Sequence, residues 1–246
     1  MKYIINTPEG TRDRLFAECQ ERRQVQRSLT GLFARRGYAE VITPELEFYD
    51  LFLQSGSPMP QEQMVKLIDR AGRLLVLRPD STTPIARVAA TKLAAVPLPQ
   101  RLYYDQTVFR AGREHRGGSS EIAQCGVELI GAGGRKADLE MIALAVDALK
   151  ACGLARFHVE LGHVGFFREL TARVDMPADT VEQARELIEG KNFAALGDLL
   201  EPYRGQAACE PLRRLSRLFG GVEVLDEATA LSGGSDALDY LRDLYG

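Results

Sequence analysis

A chain of 246 residues, 45% of them hydrophobic and 26% charged, can bury a core of ordinary size as one large domain or a domain with a sizeable insertion. Its formal net charge of −3 supplies no global basic field, so nucleic acid is not an expected partner. The longest apolar runs are too short to span a bilayer and "MKYIINTPEGTRD" lacks the apolar run of a signal peptide, so a soluble cytoplasmic protein with no membrane association is expected. The cysteines at 19, 125, 152 and 209 are far apart and form no C-x-x-C pair, which reads as reduced thiols.

In chain order, the spacing predicts a helix opening at Asp13, with Leu15, Cys19, Leu29, Leu32 and Phe33 at helix-compatible positions. "RRGY" at 35–38 ends it: Gly37 suits a left-handed position, and Arg35 and Arg36 complement the negative helix end. "AEVITPELE" gives a short strand stopped by Pro44. "QMVKLIDRAGRLLVLRPD" reads as a hairpin turning at Ala71-Gly72, and Thr83 to Leu93 as a helix with Pro84 in its first turn. Two strands follow at 101–110 and 121–131, joined by a loop rich in glycine and serine. An amphipathic helix then runs over 135–153, and "ARFHVEL" reads as a further strand. From Phe166 onward the periodicity is that of short helices. The expected fold is α+β: an antiparallel sheet flanked by helices over 1–163, followed by a small helical module over 164–246.

Few segments carry chemistry. "GAGGRKADLE" lies between a strand and a helix, yet Lys136 takes the third glycine position of G-x-G-x-x-G, so an ordinary turn is expected. His158 and His163 have no matching carboxylate or cysteine cluster, so structural roles are expected, with no metal and no cofactor. In "LRPDSTTPIAR", Asp80, Ser81 and Thr82 precede a helix. They read equally as capping residues or, for Asp80 and Thr82, as acceptors presented to a ligand ammonium. In the strand at 121–131, alternation gives Ala123, Cys125, Val127 and Leu129 one face, suited to packing on a helix. The other face carries Gln124, Gly126, Glu128 and Ile130. It is either a solvated face or a ligand pocket in which Gly126 leaves room between two polar side chains.

"TPEGTRD", "GYAEVITPELE", "LRPDSTTPIAR" and "FRAGREHRGGSSEIAQCGVELIG" together resemble the class II histidyl-tRNA synthetase core over roughly the first 160 residues. The resemblance implies a dimer-forming motif 1 ending at Pro44, a motif 2 arginine at Arg110, and histidine-holding residues at Asp80, Thr82, Gln124 and Glu128. The sequence also departs from the synthetase pattern. The motif 2 glutamate position holds Gly112, the following G-R-x-R arginines become Gly118 and Ser120, and the phenylalanine becomes Ile122. Arg113 and Arg116 stand elsewhere in the loop, and Asp80 replaces the usual glutamate. Adenylation needs charge stabilisation at the transferred phosphate, which the missing arginines would have supplied.

"RPD-x-T", "FHVELGHVGFFREL" and "GGVEVLDEA" are similar to the synthetase-like regulatory subunits of ATP phosphoribosyltransferase. That similarity implies a non-catalytic protein required by a short-form catalytic subunit in the first step of histidine biosynthesis. It also implies self-association through the motif 1 region and histidine as an effector, held by Asp80, Thr82, Gln124 and Glu128 with Arg110 beside them. The alternative is a fragment or divergent form of histidyl-tRNA synthetase that binds or activates histidine. No motif 3 or "YYTG"-like segment precedes Gly246, so the chain reads either as a piece of a longer protein or as a naturally shortened member, with the C-terminal part of the core absent.

Overall fold

The computed structural model describes residues 5–54, 59–111 and 119–245. The chain divides into two compact units, Met1–Phe157 and His158–Gly246, so that residues 158–163 group with the second.

In the first unit, helix α1 (Phe16–Arg35) is followed by strands β1 (Ala39–Glu40) and β2 (Leu46–Phe48) and helix α2 (Tyr49–Gln54). Strands β3 (Lys66–Ile68) and β4 (Leu74–Leu77) form the expected hairpin, with Gly72 at φ 78° and Asp69 Oδ1 accepting from the amides of Ala71 and Arg73. Helix α3 (Thr82–Ala90), strands β5 (Gln100–Phe109) and β6 (Glu121–Ile130), and helix α4 (Arg135–Ala151) complete it. Two three-stranded sheets result, ordered β1-β5-β6 and β2-β4-β3. The β5–β6 pair is antiparallel from Gln100↔Ile130 to Phe109↔Glu121, and β1 adds a short parallel edge at Ala39↔Leu102. The long connection through the second sheet and α3 makes that parallel pairing reachable.

The odd-numbered side chains of β5 and β6 face one way. Tyr103, Cys125 and Val127 pack with Phe33 of α1 and Leu144 of α4, which is the apolar face the alternation predicts. The even-numbered side chains face the other way, where Leu102 and Tyr104 pack with Ile85 of α3. Helix α1 ends as expected, with Gly37 at φ 83°.

Three local expectations are corrected. Helix α1 starts at Phe16, not Asp13. Residues 7–11 are committed to a turn in which Thr11 bonds Pro8 O, and Gly10 O accepts from the Ser120 amide at 2.7 Å, so the chain is pinned before the helix opens. A strand not read from the sequence, Leu46–Phe48, follows Pro44 and pairs with β4. "ARFHVEL" forms no strand: among the described residues it has no partner strand to complete its backbone hydrogen bonds, and Val159 and Leu161 are exposed.

In the second unit, α5 (Val164–Thr171), α6 (Ala178–Glu189), α7 (Phe193–Leu200), α8 (Cys209–Arg214), α9 (Glu223–Ser232) and α10 (Asp236–Tyr245) surround a core containing Phe166, Leu170, Leu196, Leu200 and Leu212. His163 has the expected structural role: its Nδ1 accepts from the Gly165 amide at 3.0 Å, capping α5, and its ring meets Tyr240 edge-on. Among the described residues, no group of three or more His, Cys, Asp or Glu could hold a metal, and no helix is long and apolar enough to cross a membrane.

Candidate functional site

The even face of the β5–β6 hairpin is a polar ladder set in an apolar surface. Register places Gln106 opposite Gln124, Tyr104 opposite Gly126, and Leu102 opposite Glu128. The segment that leaves β4 and opens α3 lies across this face and meets it through both backbone and side chain. Thr82 Oγ1 donates to Glu128 Oε1 at 2.8 Å, and the Ser81 amide donates to Gln124 Oε1 at 3.1 Å. Arg110 Nε donates to Pro79 O at 3.1 Å. Asp80 Oδ1 accepts from the Thr83 amide at 2.9 Å, so it caps the first turn of α3. All five residues singled out from the sequence, Asp80, Thr82, Arg110, Gln124 and Glu128, thus lie around one segment, 79–83.

Charge at this site is unbalanced. Glu128 is half-buried, and among the described residues no Lys, Arg or His forms an ion pair with it or with Asp80. Burial foremost raises the Glu128 pKa; the Thr82 hydrogen bond opposes this, and the negative charge of Asp80 adds to it. The neighbouring Tyr104 hydroxyl is pushed up to about 12, chiefly by burial and then by the charge of Glu128. Two carboxylates near each other without a cation favour a ligand that brings positive charge and hydrogen-bond donors. Beside them opens a cavity of about 520 Å³, with Thr82 and Glu128 at one side and an apolar wall that includes Ile85, Ala89, Leu93 and Ile130.

Tyr104 is the residue that sequence reasoning missed. A β-carbon on Gly126 would lie 2.6 Å from the Tyr104 hydroxyl and 2.9 Å from its Cζ. The space beside Gly126 is therefore filled by a tyrosine ring, which corrects the expectation that it is left for a ligand. Only the cross-strand register pairs the two, and a single strand's alternation does not show it. The loop departures are partly visible. Ser120 donates its amide to Gly10 O, and Ser119 Oγ bonds Glu121 O at 2.7 Å, so the base of the loop is closed on the N-terminal turn. Gly112, Arg113, Arg116 and Gly118 lie outside the described residues.

The family model described as histidyl-tRNA synthetase matches residues 10–245. The chain belongs to the histidyl-tRNA synthetase family. A curated relative from Clostridium kluyveri, named ATP phosphoribosyltransferase regulatory subunit, is 41% identical over 246 residues, covering 99% of this chain and 62% of its own length. The crystal structure of an ATP phosphoribosyltransferase regulatory subunit/histidyl-tRNA synthetase from Bacillus halodurans superposes with a TM-score of 0.89 at 32% identity, covering all of this chain and 64% of that one. A histidine–tRNA ligase subunit from Alicyclobacillus acidocaldarius, at 22% identity and a TM-score of 0.79, shares the fold and covers all of this chain and 76% of its own. The fold is that of the class II synthetases, and the resemblance to the regulatory subunits holds along nearly the whole chain. The chain spans about three fifths of the length of the curated relatives it matches, 62% in the C. kluyveri protein.

Proposed function

We propose that the chain acts as the synthetase-like regulatory subunit of ATP phosphoribosyltransferase, required by the short-form catalytic subunit in the first step of histidine biosynthesis, and that it senses histidine. The observation that carries the reading is the uncompensated Asp80–Glu128 pair on a face that also presents Thr82 and Gln124. Glu128 accepts from the imidazole, whose second nitrogen faces the Gln124 amide. Asp80 and Thr82 meet the α-ammonium, and Arg110 stands beside the α-carboxylate. The α+β body carries this pocket and associates with a second copy through the motif 1 region.

Sensing requires that the complex have two states with different histidine affinity. A tenfold difference is worth about 1.4 kcal/mol of coupling. The reading as a non-catalytic subunit is supported by Ser120 and Ile122, which stand where a synthetase carries an arginine and a phenylalanine. Mixing the chain with a short-form catalytic subunit should give a co-purifying complex with restored phosphoribosyl transfer. No complex and no gain of activity would remove the regulatory role.

The family model's own description favours a second reading, a histidine-activating protein. Histidine-dependent ATP–pyrophosphate exchange separates the two: the regulatory reading expects none above background at high protein concentration.

A further inference from the structure

Beside the candidate pocket lies a buried clasp whose side-chain hydrogen bonds go to none of the five site residues, although its Gln106 stands opposite Gln124. Arg78 is 3% exposed, and its guanidinium reaches strand β5 and the loop at Thr43. Nε donates to Thr107 O at 2.8 Å on β5, and Nη1 to Thr43 O at 2.5 Å and to Gln106 Oε1 at 2.7 Å. The Gln106 oxygen also accepts from the amide and the hydroxyl of Thr43, both at 3.0 Å. Three donors therefore converge on one oxygen. Flipping the amide would set donor against donor, so the orientation of Gln106 is fixed. Its Nε2 is left buried without a partner, a cost the fold retains. No carboxylate forms an ion pair with Arg78 among the described residues; the charges of Glu45 and, less, Glu47 act on it from a distance, and Glu47 is bonded bidentately by Arg87.

The location of this clasp gives it a consequence. Asp80 and Thr82 are carried by the β2-β4-β3 sheet, because they follow β4 directly and α3 is tied to β2 by Arg87 and Glu47. Gln124 and Glu128 are carried by the β1-β5-β6 sheet. Arg78 sits where the two sheets join: its amide bonds Glu45 O at 2.8 Å, its carbonyl accepts from Phe109 at 2.9 Å, and its side chain reaches β5.

We propose that Arg78, through Gln106, is a positioning residue that sets the spacing between the two halves of the pocket and so selects a ligand long enough to bridge them. The proposal rests on the histidine reading. Histidine spans both halves, with its ring on Glu128 and its ammonium on Asp80 and Thr82. Imidazole meets one half alone. A loosened clasp lowers the effective concentration of the second half-site and weakens only the bridging ligand.

The test is a titration of the full chain with L-histidine and, separately, with imidazole, followed by NMR. Gln106→Met removes the shared acceptor and leaves Arg78 its two backbone acceptors. Arg78→Lys removes the fork. Gln106→Glu keeps the acceptor, removes the orphan donor and gives Arg78 a charge partner. Gln106→Met and Arg78→Lys should raise the histidine Kd about tenfold or more while the imidazole Kd stays within about twofold. Gln106→Glu should leave both near wild type. If Arg78→Lys does not fold, Gln106→Met decides. An unchanged histidine Kd, or equal weakening of histidine and imidazole, overturns the positioning role. Wild-type protein that binds imidazole but not histidine, or neither, both alone and with the short-form catalytic subunit, overturns the histidine reading itself and this proposal with it.

Discussion

The Tyr104 hydroxyl stands 2.6 Å from the point where a β-carbon on Gly126 would lie, so ring and glycine are a fitted pair across the β5–β6 hairpin. Gly126 has no need of unusual backbone freedom; the ring supplies the constraint. Gly126→Ala should destabilise the first unit by about 1–3 kcal/mol through overpacking. Adding Tyr104→Phe removes the nearest contact and should recover part of the loss, since Cζ remains at 2.9 Å. Denaturant midpoints of the single and double variants measure the coupling; additive effects would break the pairing.

Asp80 combines two roles that one substitution can separate. Asp80→Asn keeps an oxygen to accept from the Thr83 amide, and so should preserve stability within about 0.5 kcal/mol. It removes the charge offered to an ammonium, and so should weaken histidine binding about tenfold or more. Asp80→Ala should lose both the affinity and about 1 kcal/mol of stability. Equal histidine affinity in wild type and Asp80→Asn would leave Asp80 a cap and nothing more.

Glu128 should cost stability where it serves binding. Its folded pKa lies above the unfolded value, chiefly through burial, so the folded state holds the proton more tightly. The penalty is full above the raised folded value. It falls away as pH drops through the raised folded value and is gone below the ordinary glutamate range. Glu128→Gln should therefore raise Tm at pH 7, and the gain should shrink toward pH 4. A variant less stable than wild type at pH 7 would contradict this account of the carboxylate.

The sequence made much of this site readable, for physical reasons that differ by residue. Glu128 and Gln124 stood out because two polar side chains share one face of an otherwise apolar strand, and that parity survives in the fold. Asp80 and Thr82 stood out because they precede a helix. Whether they cap it or face a ligand depends on contacts: Asp80 caps, while Thr82 turns to Glu128. Tyr104, Gln106 and Arg78 were hidden. Each acts through a partner at least 20 residues away, and no periodicity within one element reveals a cross-strand or sheet-to-sheet pairing. The strand expected at "ARFHVEL" failed for the same reason, since local alternation cannot supply a neighbour.

Cys125 should be the least reactive of the thiols on the first unit's sheet and helices. Burial foremost, with Asp105 adding negative charge, pushes it up to about 12. At pH 8 only about one molecule in ten thousand then carries the thiolate. Mass-spectrometric mapping after brief alkylation of native protein should show Cys125 unmodified, with labelling appearing on unfolding. Rapid native labelling at Cys125 would contradict the packing of the odd face against α1 and α4.

Isothermal calorimetry of L-histidine into the chain, alone and with the short-form catalytic subunit, tests the central claim most directly. The account predicts saturable binding at one site per chain in at least one of the two forms, abolished by Glu128→Ala. No heat from either form, or binding that Glu128→Ala leaves intact, would contradict it.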